Sequence, residues 1–317
     1  AHRYVSSILA DNKEAETFYV GLVNDREYGG VFYTRDAGQH WQQRSAGLGG
    51  RDVFSVKQAS SGMILAGTNR GIFALDRNAS EWHPMNVVVT ERTVKVTKKG
   101  SKKPTTSTTV SKSELQARVS ELELNSDHWL AATSAGIYRS TDSGKTWKGG
   151  PVLGQHDFVS IHGQGSTLVA ATRSSVMVSH DGGMTWKQGS MPSYVVSIRG
   201  TAISPESSIL VAAREGAFRS DDGGMTWEHM LNGIPGKDIT SVNYDPSHKR
   251  MLATSDSTSI IFESNDGGRS WQRGPDTGYP LRRVSVMGGR YVAATPFDGV
   301  VLQPGNENIS AAAGSSR

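Results

Sequence analysis

The chain has 317 residues, 36% of them hydrophobic and 20% charged, with a formal net charge of +4. It contains no cysteine, which excludes disulfide staples, thiolate metal sites and a cysteine nucleophile; a zinc site would need histidines and carboxylates alone. The nine histidines are scattered singly and no apolar run reaches about 18 residues, so neither a metal or cofactor nor a transmembrane helix is expected.

In chain order, short apolar runs with period-two alternation and turn residues between them predict antiparallel strands. The first begins near Tyr4, and a polar turn follows at Thr34, Asp36, Gly38, His40 and Trp41. The next unit reads Val53 to Gln58, Met63 to Thr68, Gly71 to Asp76 and Trp82 to Met85, with its turn eroded to Asp76 and Trp82. After an insertion over about 87–117, first strands are expected near Val119, Phe158, Val195, Ile239 and Arg283.

Four of these later units carry the full turn Ser-x-Asp-x-Gly-x-(Thr/Ser)-Trp. The copies are Ser140, Asp142, Gly144, Thr146, Trp147; Ser179, Asp181, Gly183, Thr185, Trp186; Ser220, Asp222, Gly224, Thr226, Trp227; and Ser264, Asp266, Gly268, Ser270, Trp271. Trp147, Trp186, Trp227 and Trp271 are 39, 41 and 44 residues apart, and Trp41 and Trp82 are again 41 apart. A period of about 40 residues holding four strands is one blade of a β-propeller. The fold expected is all-β: a seven-bladed β-propeller of four-stranded antiparallel blades, one domain over 1–305 with a polar tail over 306–317. The last blade shows only three strands before Gly305, and the start of the chain is already spent as a first strand. A fourth strand has to come from 307–313 or elsewhere, which hints at a longer parent chain.

The turn has a local chemical logic. Its aspartate can accept from the amides of the following turn, its glycine supplies positive φ, and its tryptophan opens the next strand. Asp36, Asp142, Asp181, Asp222 and Asp266 are therefore assigned a structural role; spaced one per blade around a rim, they cannot share one ligand.

This motif resembles the bacterial-neuraminidase repeat (BNR), or Asp-box, propellers, over Val31 to Trp271. That family includes sialidases, some endoglucanases and xyloglucanases, sortilin-type receptors and photosystem II assembly factors, so the resemblance is specific for fold and open as to activity. The Arg-Ile-Pro expected of a sialidase is absent, its nearest echo being Gly233-Ile234-Pro235. Xyloglucanase-like enzymes use a cleft between two propellers, and this chain is long enough for one. The recurrent Gly-Trp-x-Val-Gly strand of the photosystem factors does not occur. The resemblance implies an extracellular or periplasmic location.

Charge is unevenly placed. Val88 to Arg118 holds eight basic and two acidic residues, whereas the rest of the chain holds 26 basic and 28 acidic. The insertion reads as a protruding β-hairpin with Lys98, Lys99, Lys102 and Lys103 at its tip. Its position between the second and third blades assigns it to the face opposite the Asp boxes, around the channel mouth. On that face Arg70, Arg173 and Arg214 recur just after the second strand of their blades, with Tyr279 and Arg282 in a neighbouring loop, as candidates for binding an anionic partner. Candidate catalytic carboxylates are Asp157, Glu215, Asp256 and Asp298, with Asp25 and Glu27 beside them.

Three functional readings stand side by side: a non-catalytic scaffold or binding module for a protein or anionic glycan, a glycoside hydrolase or lyase acting on a polysaccharide, and a structural module of a larger surface protein. Nucleic acid is not an expected partner, because the body is slightly acidic and no stacking motif accompanies the lysines.

Overall fold

The computed structural model describes residues 4–14, 16–23, 29–96, 105–287, 289–296 and 299–304. Within them every regular element is a β-strand, and no helix is long and apolar enough to cross a membrane. Seven antiparallel sheets follow one another, each pairing its strands in chain order. Six have four strands and the last has three, Arg283–Met287, Arg290–Ala294 and Val300–Pro304. The molecule is a seven-bladed β-propeller.

Burial explains the pattern. Middle strands such as Ile64–Thr68 and Ile209–Ala213 are buried along their whole length, since each blade is covered on both faces by its neighbours. Outer strands such as Gln42–Gln43 and Lys187–Gln188 are exposed. Apolar side chains gather into clusters between consecutive blades; Val169, Val178, Val211 and Phe218, for example, join the fourth to the fifth. The ring closes the same way, through Val5, Val20 and Leu22 of the first blade against Ala294 and Val300 of the seventh. This seam is made by packing between sheets, without a strand shared between the two chain ends among the described residues. Residues 307–313, considered as a fourth strand, lie outside the described residues.

Two first strands start later than the alternation predicts. They are Ser160–Gln164, not from Phe158, and Ile198–Ile203, not from Val195. Phe158 and Val195 are core residues all the same, 0% and 1% exposed, but they pack from the turn that enters the blade, where Val195 N–H donates to the Pro192 carbonyl.

The insertion is a two-stranded ladder, Val87–Val96 paired with Thr105–Glu114; its expected lysine tip lies outside the described residues. Its root differs from expectation. Trp147 N–H donates to the Val87 carbonyl and Val89 N–H to the Trp147 carbonyl, so the hairpin springs from the outer strand of the third blade, beside an Asp box. The strong twist of a blade carries the end of one outer strand around to the start of the next, which is how an insertion after the second blade reaches this rim.

Candidate binding site at the channel mouth

The Asp boxes form one face. In each, the serine or threonine hydroxyl donates to the aspartate and accepts the N–H of the box glycine, as Ser140 does at 2.7 Å to Asp142 and 2.8 Å from Gly144. The aspartate also accepts the backbone N–H and the hydroxyl of the residue four positions on, at 2.9 and 2.6 Å for Asp142 and Thr146. Asp181, Asp222 and Asp266 repeat this arrangement. Asp36 uses the His40 N–H and imidazole instead. With both oxygens engaged, these carboxyls are held well below the ordinary range. Hydrogen bonds from Thr185 and Thr226 bring Asp181 and Asp222 to about 2. In Asp266 partial burial works the other way, and hydrogen bonds led by that of Ser270 overcome it, again to about 2.

The opposite end of the channel is built differently. Five first strands carry a β-bulge one residue in, between Val5 and Ser7, Val53 and Ser55, Val119 and Glu121, Ile198 and Gly200, and Ile239 and Ser241. The bulged residues are Ser6, Phe54, Ser120, Arg199 and Thr240. Val159 and Arg282 occupy the same place in the fourth and seventh blades, each donating its N–H to the second strand, to Ala171 and Ala294. All seven line one cavity of about 690 Å³. A bulge re-aims a side chain that regular pleating would send into the sheet packing; here it points one residue per blade into the mouth.

Five arginines line this cavity: Arg118, Arg173, Arg199, Arg282 and Arg283. Arg118 pairs with Asp157 at 3.1 Å and Arg199 with Asp256 at 3.0 Å. The Arg282 guanidinium lies 4.1 Å from the Tyr4 ring centroid. Arg173 and Arg282 have no ion-pair partner among the described residues. Of the candidates named from the sequence, Arg173, Arg282 and Asp256 thus line the mouth together, and Asp157 joins them through Arg118. Glu215 accepts the Ser197 N–H at 3.3 Å beside the cavity. Arg70 and Arg214 sit in turns between second and third strands, and the exposed Tyr279 in the loop entering the seventh blade; none of the three lines the cavity. Asp25, Glu27 and Asp298 lie outside the described residues.

Just below the mouth a second regularity appears. The residue after each bulge position is Ser7, Ser55, Glu121, Ser160, Gly200, Ser241 or Arg283. Four of these accept the backbone N–H of the next blade's first strand: Ser7 from Val56, Ser55 from Leu122, Glu121 from Ile161 and Ser160 from Thr201. Small residues suit this ring, and the two exceptions face each other. Arg283 of the seventh blade reaches Glu121 of the third at 3.4 Å, joining two blades that are not neighbours. Arg283 lines both the mouth and a second chamber of about 540 Å³ that opens toward the Asp-box face, so this pair marks the waist of the channel.

Glu121 is 1% exposed. Burial opposes its charge, but His162, Arg283 and Lys57, with the Ser160 hydroxyl at 2.8 Å, outweigh it and hold the carboxyl at about 2. Burial pushes the His162 imidazole below its ordinary value, partly opposed by Glu121. Among the described residues no group of three or more histidines, aspartates or glutamates could hold a metal ion.

The BNR/Asp-box repeat family model matches the chain at residues 177–188 and 218–229, across two of the four full turns. This seven-bladed propeller thus carries BNR/Asp-box repeats. No curated protein matches it in sequence. Among solved structures this propeller is similar to YCF48 from Cyanidioschyzon merolae, at 15% identity and TM-score 0.66, covering 97% of each chain. It is also similar to YCF48 bound to D1 peptide, at 15% identity and TM-score 0.64, over 96% of this chain and 94% of that one. An ancestral GH74 enzyme aligns with 16% identity and TM-score 0.71, over 97% of this chain and 45% of that one. At these identities the likeness is one of fold.

Proposed function

We propose that this BNR/Asp-box propeller is a non-catalytic binding module that takes an anionic segment of a partner protein at the mouth opposite its Asp boxes. One observation carries the reading: all seven blades deliver a side chain into a single cavity that five arginines line, five blades from a bulge in the first strand and two from the residue that leads into it. Arg118 and Arg199 are held in place by one carboxylate each, while Arg173 and Arg282 present guanidinium groups whose forked donors match a carboxylate. Two of the similar structures are of YCF48, one with a peptide bound, which supports peptide capture as a use of this architecture. An exported location is part of the same proposal.

A glycosidase needs two carboxyls about 5–10 Å apart, at least one free to act as acid. Asp157 and Asp256 each face an arginine within 3.1 Å, an arrangement that suits positioning those arginines better than proton transfer.

The test is titration of a fluorescent oligoglutamate peptide, with neutral and oligolysine peptides and a uronate oligosaccharide as comparison arms. Binding of oligoglutamate that weakens about tenfold or more in Arg173→Ala and in Arg282→Ala is expected, the scale of one lost charged hydrogen bond. Equal binding of all peptides, or variants that bind as the parent does, would overturn the proposal. Stronger binding of the uronate would move the partner from protein to glycan. Reducing-sugar release from a polysaccharide panel, abolished in Asp256→Asn, would replace it with the hydrolase reading.

A further inference from the structure

We propose that the insertion hairpin is a dimerisation arm, pairing edge to edge with the same strand of a second copy of this chain. The open edge can be located from the hydrogen bonds at its root. Val87 and Val89 aim their backbone groups at Trp147, away from the strand Thr105–Glu114. In an antiparallel ladder the residues opposite them, Glu114 and Lys112, also aim theirs outward. By alternation so do Val110, Thr108 and Thr106. Along that edge no further strand is paired among the described residues.

Natural proteins blunt such edges with charges, proline or bulges. From Thr105 to Ser111 the strand has none of these: seven consecutive Thr, Ser and Val residues, with unbroken register against the other strand. A two-stranded ladder alone is marginally stable in water, whereas four strands make a viable sheet. Val94 and Val110, 43% and 57% exposed, mark the two faces that such a sheet would extend.

The occupant is a second copy because the edge is complementary to itself. Antiparallel pairing brings the neutral run of one copy against that of the other and sends the two Lys112 side chains to opposite ends of the junction. Each arm, from the segment carrying eight basic and two acidic residues, then lies toward the other copy's net-acidic body. A two-fold interface of this kind is closed and does not propagate.

Sedimentation velocity of the full chain over a hundredfold concentration range tests this. A reversible monomer–dimer equilibrium is expected. Val110→Pro removes an outward N–H without touching the bonds inside the hairpin, and by symmetry it acts twice; the dimer should weaken about a hundredfold. Val110→Thr keeps the N–H and should dimerise as the parent does, with both variants melting with the body of the propeller unchanged. A parent that stays monomeric throughout, or a Val110→Pro variant that dimerises as well as the parent, would overturn the proposal.

Discussion

At the scale of single residues, the Asp boxes behave as titrating staples. Asp181, Asp222 and Asp266 are lowered from 3.8 to about 2, so each binds its proton less readily when folded than when unfolded. Such groups stabilise the fold above their unfolded value, and that stability is lost as pH falls through the folded one. The melting temperature should therefore be flat from neutral pH to about 4 and drop between about pH 4 and 2. Replacing Asp222 with Asn should lower it at neutral pH and shallow the acid slope; an unchanged slope would show that the boxes do not drive acid unfolding. The residue before the box glycine is also left-handed: φ is 57° at Ser143 and 55° at Ala37, where the other three boxes have Gly182, Gly223 and Gly267. An L-residue is strained there by roughly 1 kcal/mol. Ser143→Gly and Ala37→Gly should each raise stability in urea by a fraction of that, after the added chain entropy of glycine is subtracted.

At the scale of elements, what the sequence makes legible is whatever repeats at fixed spacing. The Asp-box tryptophans mark the blades, and the alternation of Val53 to Gln58 or Gly71 to Asp76 marks strands whose bounds are close to those observed. The mouth is harder to read, because its side chains arrive through bulges. Ile198-Arg199-Gly200 and Ile239-Thr240-Ser241 interrupt the alternation by one residue, so Arg199 and Thr240 look like ordinary strand positions. Arg199 is accordingly not among the candidate residues, whereas Arg173 and Arg282 are visible as loop arginines; Arg118 and Arg283 lie at the starts of first strands and owe nothing to a bulge of their own. The signal that could have found Arg199 is this one-residue slip, recurring at the start of successive first strands. The Glu121–Arg283 pair was hidden for another reason: it joins residues 162 positions apart across the lumen, which no local pattern encodes. It has a sharp energetic signature. Arg283→Ser leaves a buried carboxylate without its guanidinium and should cost about 2–4 kcal/mol. Glu121→Ser leaves a partly exposed arginine that water can serve and should cost less. The double variant restores the small residues used by other blades, so it should be more stable than Arg283→Ser alone; strict additivity in a double-mutant cycle of urea melts would deny that the pair is coupled.

At the scale of the whole molecule, the seam between the first and seventh blades governs how the ring opens. A propeller is a chain of sheets in which each blade is stabilised mainly by its two neighbours, so the ring is only as tight as its weakest junction. Elsewhere consecutive blades are joined by packing and by a covalent connection; between the seventh and first the described residues show non-covalent contact, the packing of Val5, Val20, Leu22, Ala294 and Val300 and the Arg282 guanidinium over the Tyr4 ring. The seventh blade also shows three strands, which leaves Val300–Pro304 without an outer neighbour among the described residues. Among the described residues, opening at this seam needs no chain to be threaded and no strand to be unpaired. Native-state hydrogen exchange should therefore show strands Phe18–Val23 and Arg290–Ala294 exchanging through a sub-global opening, while Thr167–Ala171 and Ile209–Ala213 in the fourth and fifth blades exchange only on global unfolding. Val20→Ala, which removes two methyl groups buried at the seam, should widen that gap by about 1–3 kcal/mol in the first and seventh blades. The equivalent Val211→Ala, inside the junction of the fourth and fifth blades, should instead lower all four strands together. If exchange is uniform around the ring and both variants act globally, the seam is as strong as the covalently linked junctions.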